Sequence, residues 1–249
     1  MSGRKKEIHF PYLSEEETFQ FPSPLTATRE GIVAMGGNLS PGMLLSAYSQ
    51  GIFPWYSEDS PILWWSPDPR FVLFPPELHV PRSLEKVLRK RVFTFMLDTR
   101  FVDVITACSR TPRPDQDGTW ITDEMIDAYA ELHRLGYAHS LEVYRENTLA
   151  GGLYGVSLGS VFFGESMFSW EPNASKAGLV VLVRFLQGKG FQLIDSQVYT
   201  DHLARFGARN ISRVEYLTLL KKALKDPTYK GAWNTLFPEF PALILSSMY

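Results

Sequence analysis

Three scarcities narrow what this chain can be. It has one cysteine, Cys108, in 249 residues. An internal disulfide is therefore excluded, as is any metal site built on several thiolates. Cys108 sits among Phe101, Val102 and Ile105 and reads as a core residue of a helix. Net charge is also scarce: 25 Lys and Arg against 27 Asp and Glu leave a formal charge of −2. The whole molecule is not a general polyanion binder, so any contact with nucleic acid has to come from a local basic patch. Long apolar runs are missing too. No charge-free apolar stretch reaches the roughly 18 residues of a membrane span. No apolar run of signal-peptide length follows the basic opening Met1-Ser2-Gly3-Arg4-Lys5-Lys6. These features point to a protein of the reducing cytoplasm that needs no membrane.

What is present is a 45% hydrophobic chain, enough for a sizeable core. Residues 1–20 read as a lead-in containing the run Glu15-Glu16-Glu17. From Phe21 to about Pro69, Pro, Gly and Trp dominate, around one clear helix. Ser40-Pro41 is its N-cap and first-turn proline, Leu44, Leu45 and Tyr48 form the apolar stripe, and Gly51 ends it. The remainder of that stretch looks loop-like and aromatic. Residues 1–69 are accordingly expected to form a small N-terminal domain, and residues 70–249 a second domain of α+β class.

The second part alternates elements. Phe71–Phe74 reads as a strand, followed by a helix over Pro81–Arg91 with two faces. Leu84, Val87 and Leu88 are its buried face. Arg82, Lys86, Arg89 and Lys90 recur at helical spacing as one basic stripe, continued by Arg91 and interrupted by Glu85. A strand over Val92–Leu97, a helix from Phe101, and a Pro- and Asp-rich loop over Arg110–Gly118 come next. Thr122 caps a helix with an acidic first turn, Asp123 and Glu124, which Gly136 ends. A strand meander follows over Ser140–Arg145, Leu149–Val156 and Ser160–Glu165. Asn173 is expected to cap a helix from Ala174 to Gln187 that is apolar nearly all round and so buried between layers. After it come a strand, Phe191–Val198, a short helix over Asp201–Phe206, and a closing helix. Ser212 and Glu215 form a capping box at the start of that last helix, with Ile211 and Tyr216 as a hydrophobic staple.

Two stretches put polar chemistry into apolar strands: Gly164-Glu165-Ser166-Met167-Phe168-Ser169 and Ile194-Asp195-Ser196-Gln197-Val198. If the second is an extended strand, Asp195 and Gln197 share a face with Phe191 and Leu193. A carboxylate and an amide on such a face cost on the order of 1–3 kcal/mol each when unpaired. They are expected to bond each other, Glu165, or a ligand. No histidine pair (among His9, His79, His133, His139 and His202) has ligand spacing, so no metal is assigned. Ser166 lacks the Gly-x-Ser-x-Gly setting of a hydrolase nucleophile.

A meander, a buried helix, a further strand and a closing helix resemble the GNAT acyltransferase fold. Six motifs in register make the resemblance specific: Phe53-Pro54-Trp55, Trp64–Arg70, Gly118-Thr119-Trp120-Ile121, Gly164–Ser169, Asn173-Ala174-Ser175-Lys176 and Ile194–Gln197. From about Phe21 to about Leu220 the chain resembles the leucyl/phenylalanyl-tRNA–protein transferases. The resemblance implies a small N-terminal domain followed by a GNAT-like catalytic domain. It also implies transfer of Leu, Phe or Met from aminoacyl-tRNA to proteins with N-terminal Arg or Lys, marking them for degradation, with no metal and no coenzyme A. Asp195, Gln197 and Glu165 then occupy the reaction centre. Gln197 accepts a hydrogen bond from the attacking amine, Asp195 holds the Gln197 amide, and Glu165 holds the cationic acceptor. Asp195 and Gln197 act either as a base relay or as positioners. Trp55 and Trp120 stack the terminal adenosine or wall the acyl pocket, and Leu153, Phe162, Met167 and Leu179 line that pocket. Leu153 stands where the family often has Met, and Phe163 where a smaller residue occurs. Arg82, Lys86, Arg89, Lys90 and Arg91 contact the tRNA acceptor stem. Trp64, Trp65 and Trp170 are expected to be packing residues.

Two rival functions remain at this level. A coenzyme A-dependent N-acyltransferase needs a glycine-rich pyrophosphate cradle ahead of the buried helix, where this chain has Trp170-Glu171-Pro172-Asn173. A non-enzymatic RNA-binding module uses only the basic stripe and the tryptophan loops.

Overall fold

The computed structural model describes residues 10–111 and 120–240. Most of the expected Arg110–Gly118 loop, and with it Gly118 and Thr119 of one motif, lies outside the described residues.

The first element among the described residues is a 3-10 turn, Pro24–Thr26, followed by β1 (Ile32–Met35), α1 (Pro41–Ser49), β2 (Phe53–Pro54) and β3 (Leu63–Trp65). These three strands form their own antiparallel sheet in the order β1-β3-β2. From sequence this segment reads as loop-like around α1. Two- to four-residue strands rich in Pro and Trp carry too little alternation to be read as strands. In α1, Pro41 occupies the first turn as expected, but Ser40 makes no side-chain cap bond.

The larger sheet starts at β4 (Arg70–Leu73). After a 3-10 turn (Pro75–Glu77) come α2 (Arg82–Arg89), β5 (Thr94–Leu97), α3 (Phe101–Ser109), α4 (Asp123–Arg134), β6 (Ala138–Arg145), β7 (Thr148–Leu158) and β8 (Val161–Ser169). The chain continues through α5 (Ala174–Gly188), β9 (Leu193–Asp195), α6 (Asp201–Ala204), β10 (Arg209–Ile211), α7 (Arg213–Ala223) and α8 (Trp233–Leu236). The seven strands lie in the order β10-β4-β9-β8-β7-β6-β5. Every neighbouring pair is antiparallel except β8 and β9, which run parallel because α5 carries the chain back between them. This is the expected α+β order of meander, buried helix, strand and closing helix.

Helices cover both faces of this sheet. One apolar cluster joins α1, α3, α4 and α7 to Tyr154, Val156, Phe163 and Leu193. The other joins α2, α5 and α8 to Leu141, Leu153, Phe162 and Ile194. Large side chains fully buried in such clusters contribute ~1.5–3 kcal/mol each. Eleven residues of α5 are buried, as an all-round apolar helix requires. Cys108 is buried in the first cluster, as expected. Tyr48 of α1 and Trp64 of β3 belong to that same cluster, so the N-terminal segment packs directly on the large sheet.

Caps and ends differ in detail. Thr122 accepts from the Met125 N–H and Ser212 from the Glu215 N–H, as expected. Asn173 does not cap α5 through its side chain; its φ is 71°. The Ser169 hydroxyl accepts from the Ser175 N–H instead, at 3.2 Å. The expected strand Phe191–Val198 is only three residues long, and β10 and α8 have no counterpart in the sequence expectations. Among the described residues no helix is long and apolar enough to cross a membrane.

Candidate active site

The site begins with a correction to strand parity. β9 ends at Asp195, so alternation does not carry Gln197 onto the Asp195 face. Gln197 instead sits in the left-handed region at φ 56°, where a long side chain is uncommon. Two backbone bonds hold it there. Its N–H donates to Asp195 Oδ1 at 3.0 Å, and its carbonyl accepts from the Phe71 N–H at 3.2 Å. Asp195 therefore holds the Gln197 main chain and not, as expected, its side-chain amide.

Asp195 is fully buried and fully engaged. Arg70 Nε donates to Oδ1 at 2.9 Å and Nη2 to Oδ2 at 2.6 Å, a bidentate pair. The Tyr216 hydroxyl donates to Oδ2 at 2.6 Å. Each carboxylate oxygen thus has two donors, which fills its lone pairs. Burial works against the Arg70 charge, but Asp195 and Tyr216 together more than offset it and raise the guanidinium above its ordinary value. Arg70 Nη1 has no hydrogen-bond acceptor among the described residues; the guanidinium lies over the rings of Tyr216 at 4.5 Å and Phe53 at 4.8 Å.

The Gln197 side chain turns to Glu165. Its Nε2 donates to Glu165 Oε1 at 3.1 Å. Tyr48 donates to the same oxygen at 2.7 Å, Tyr129 lies 3.3 Å from Oε2, and the two tyrosine hydroxyls are hydrogen-bonded to each other. Glu165 is mid-strand in β8, not at the strand end as expected. Gly164 pairs with Gly155 and Ser166 with Tyr154, so Glu165 is the extra residue of a β-bulge. The residue keeps partial solvent access while protein surrounds its carboxylate. That desolvation, reinforced by Asp195 and opposed by the tyrosine hydrogen bonds and Arg70, pushes its pKa up to about 7. Burial first, and then the Glu165 charge, push the Tyr48 and Tyr129 hydroxyls well above their ordinary value, so they remain donors.

The bulge also resolves the acyl-pocket residues. Phe162 and Met167 are five apart and would face opposite ways on a regular strand. The extra residue returns them to one face. Leu153, Phe162 and Leu179 are buried in the second cluster, Met167 packs against it, and Leu153 pairs with Met167 across β7 and β8. Trp55 and Trp120 are partly buried against the first cluster, which holds Tyr48 and Tyr129. The Trp55 ring lies 5.6 Å from Trp65, and its carbonyl accepts from Trp65 Nε1 at 2.6 Å. Trp64 and Trp65 are packing residues, but Trp170 is 62% exposed and corrects the expectation for it. Arg82, Lys86, Arg89, Lys90 and Arg91 are all exposed, while Leu84 and Leu88 are buried beneath.

Four site residues are not identified by sequence in this role: Arg70, Tyr216, Tyr48 and Tyr129. From sequence Tyr48 reads only as part of an apolar stripe and Tyr216 only as half of a hydrophobic staple. A buried tyrosine hydroxyl needs a partner, and that is the signal available.

Residues 37–68 match the model of the leucyl/phenylalanyl-tRNA protein transferase N-terminal domain, and residues 72–221 that of the leucyl/phenylalanyl-tRNA protein transferase. A leucyl/phenylalanyl-tRNA–protein transferase of Myxococcus xanthus is 57% identical over 222 residues, spanning 89% of this chain and 95% of that one. Its counterpart in Anaeromyxobacter sp. (strain K) is 55% identical over 214 residues, spanning 86% and 92%. Among solved structures, a GCN5-related N-acetyltransferase from Kribbella flavida superposes with a TM-score of 0.32 at 10% identity, covering 70% of this chain and 62% of the other. The two domain models, matched in order, and the two long alignments show that this chain belongs to the leucyl/phenylalanyl-tRNA–protein transferase family.

Proposed function

We propose that the chain moves Leu, Phe or Met from aminoacyl-tRNA to the α-amine of proteins with N-terminal Arg or Lys, marking them for degradation. The observation that carries this reading is the double fixing of Gln197. Its backbone N–H is tied to Asp195 and its amide NH2 to Glu165. The amide oxygen has no donor among the described residues. A fixed carbonyl with no donor of its own accepts one N–H of an incoming amine and directs the nitrogen lone pair.

The chemistry is aminolysis of an ester. The α-amine nitrogen bonds to the aminoacyl carbonyl carbon, the bond to the ribose oxygen breaks, and one amine proton ends on that oxygen. The ester is already activated, so the step needs positioning and a neutral amine rather than a metal or coenzyme. Glu165 attracts the acceptor's α-ammonium and takes its proton. Its pKa of about 7 lies close to that of an α-amino group, near 7.7–8.0, which keeps proton exchange inexpensive. Asp195 acts as a positioner, because its four acceptor sites are already filled. Leu153, Phe162, Met167 and Leu179 receive the amino-acid side chain, and Trp55 and Trp120 the terminal adenosine. Arg82, Lys86, Arg89, Lys90 and Arg91 take acceptor-stem phosphates, contacts that carry no sequence information and so admit several tRNAs.

In this reading residues 1–69 and 70–249 are the two domains; the change from the small sheet to the large one between Trp65 and Arg70 supports the boundary. The site of action is the cytoplasm, where aminoacyl-tRNA is made. The test is transfer of labelled Phe from Phe-tRNA to a peptide beginning with Arg, beside the same peptide acetylated at its N-terminus. Label in the free peptide alone supports the reading. Label in neither, or in both, overturns it.

A further inference from the structure

The glycines of the central strands have different reasons for being glycine. A Cβ at Gly151 would come within 2.9 Å of the Ala174 Cβ, at Gly152 within 2.9 Å of Phe168 Cε1, and at Gly155 within 2.2 Å of the Phe163 carbonyl oxygen. Those three are required by the protein's own packing. Gly164 is not. A Cβ there meets only the Asp195 carbonyl oxygen at 3.8 Å, an ordinary contact, and its φ is outside the left-handed region. A glycine inside a strand gives up packing and costs conformational entropy, and it commonly marks close approach by another backbone or a ligand.

The position says what approaches. Gly164 pairs with Gly155, over which the Phe162 ring lies, so its missing side chain belongs to the Phe162 and Met167 face. Glu165 follows it in the chain. β9 pairs with β8 only as far as Phe163 with Asp195, so the two strands part beside Gly164. The uncrowded position therefore lies on the face of the apolar pocket, next in the chain to Glu165, whose carboxylate accepts from Gln197.

We propose that Gly164 is a substrate-positioning residue: its bare α-carbon is the wall against which the α-carbon and ester carbonyl of the bound aminoacyl group lie. The pocket takes the amino-acid side chain, and Gly164 lets the reacting carbon sit at the height of Gln197. This deepens the proposed function and rests on it. A side chain at 164 would push the ester away from the amine without disturbing the protein.

The experiment compares wild type with Gly164→Ala for thermal melting, binding of uncharged tRNA, binding of a non-hydrolysable phenylalanyl-adenosine amide, and transfer of Phe. The expected result is unchanged melting and unchanged uncharged-tRNA affinity. Amide affinity and transfer should each fall by roughly 10-fold or more, the scale of one misplaced methyl in a fitted pocket. Wild-type transfer by the variant overturns the inference. Melting well below wild type also overturns it, because the glycine is then structural. Gly155→Ala, which collides with backbone, is the control for that outcome. An inactive wild type sinks the transferase reading itself, whereas an active wild type matched by an equally active Gly164→Ala sinks only the role of Gly164.

Discussion

Arg70 and Asp195, 125 positions apart in the chain, form a bidentate ion pair that is closed to solvent on both sides. The pair fixes β4 to β9 at the point where the chain turns into Gln197. Removing one partner leaves the other charge buried and uncompensated, which costs ~3–5 kcal/mol. Arg70→Met and Asp195→Ala are each expected to be destabilised by that amount in denaturant titration. The double variant should be destabilised by less than the sum, because no orphan charge remains. Additive effects would show that the two residues act independently.

Glu165 gives the protein a pH dependence of known sign. Its folded pKa of about 7 lies above the ordinary 4.5. Between those values the folded chain binds more protons than the unfolded one, so this group's contribution to stability falls as pH rises through that window. Below about 4.5 both states are protonated and the penalty is absent. Glu165→Gln should therefore be more stable than wild type at about pH 8 and should show a flatter stability profile from about pH 5 upward. Calorimetry across that range checks it; a variant less stable than wild type at the alkaline end contradicts the buried, raised carboxyl.

The basic face of α2 is exposed, so its residues can be altered without cost to the core. The combined variant Arg82→Ala, Lys86→Ala, Arg89→Ala should fold normally and bind tRNA more weakly. Its log–log salt slope should shrink by about 0.7–0.9 for each phosphate that is no longer neutralised. An unchanged slope would place the tRNA on another surface.

Trp233 lies beyond the stretch matched by the family models, yet it is fully buried. Its ring stacks on His139 at 3.8 Å, its indole N–H donates to the Tyr229 carbonyl at 3.0 Å, and its backbone N–H donates to Asp98 at 2.7 Å. Asp98 also accepts from His139 Nδ1 and the Ser140 N–H, both at 2.8 Å. Trp233→Ala is expected to cost ~3–5 kcal/mol in a denaturation series. A cost under about 1 kcal/mol would mean the segment does not close the second cluster.

Much of this architecture is legible from periodicity: the amphipathic α2, the Thr122 and Ser212 caps, the β6–β8 meander and the buried α5 all carry strong local patterns. What escapes has a common physical cause. Arg70 and Tyr216 are defined by a partner more than a hundred residues away or across a sheet, and no local pattern records that. Strand parity places Gln197 beside Asp195, but the strand ends first and a left-handed residue takes over. Glu165 reads as a strand end because a single extra residue in a bulge leaves no mark on hydrophobic alternation. The same bulge puts Phe162 and Met167 on one face, a grouping that the family resemblance supplies and alternation alone opposes. The short strands β1 to β3 and β10 are set by tertiary pairing rather than by their own propensity.

The most direct measurement is the single-turnover rate of Phe transfer to an Arg peptide by wild type and Gln197→Ala, at saturating Phe-tRNA, with tRNA affinity measured alongside. If the Gln197 carbonyl positions the amine, the rate should fall by about 100-fold, the cost of a misplaced reacting group, while tRNA binding is preserved. Transfer at the wild-type rate, or an equal fall in rate and tRNA affinity, would contradict it.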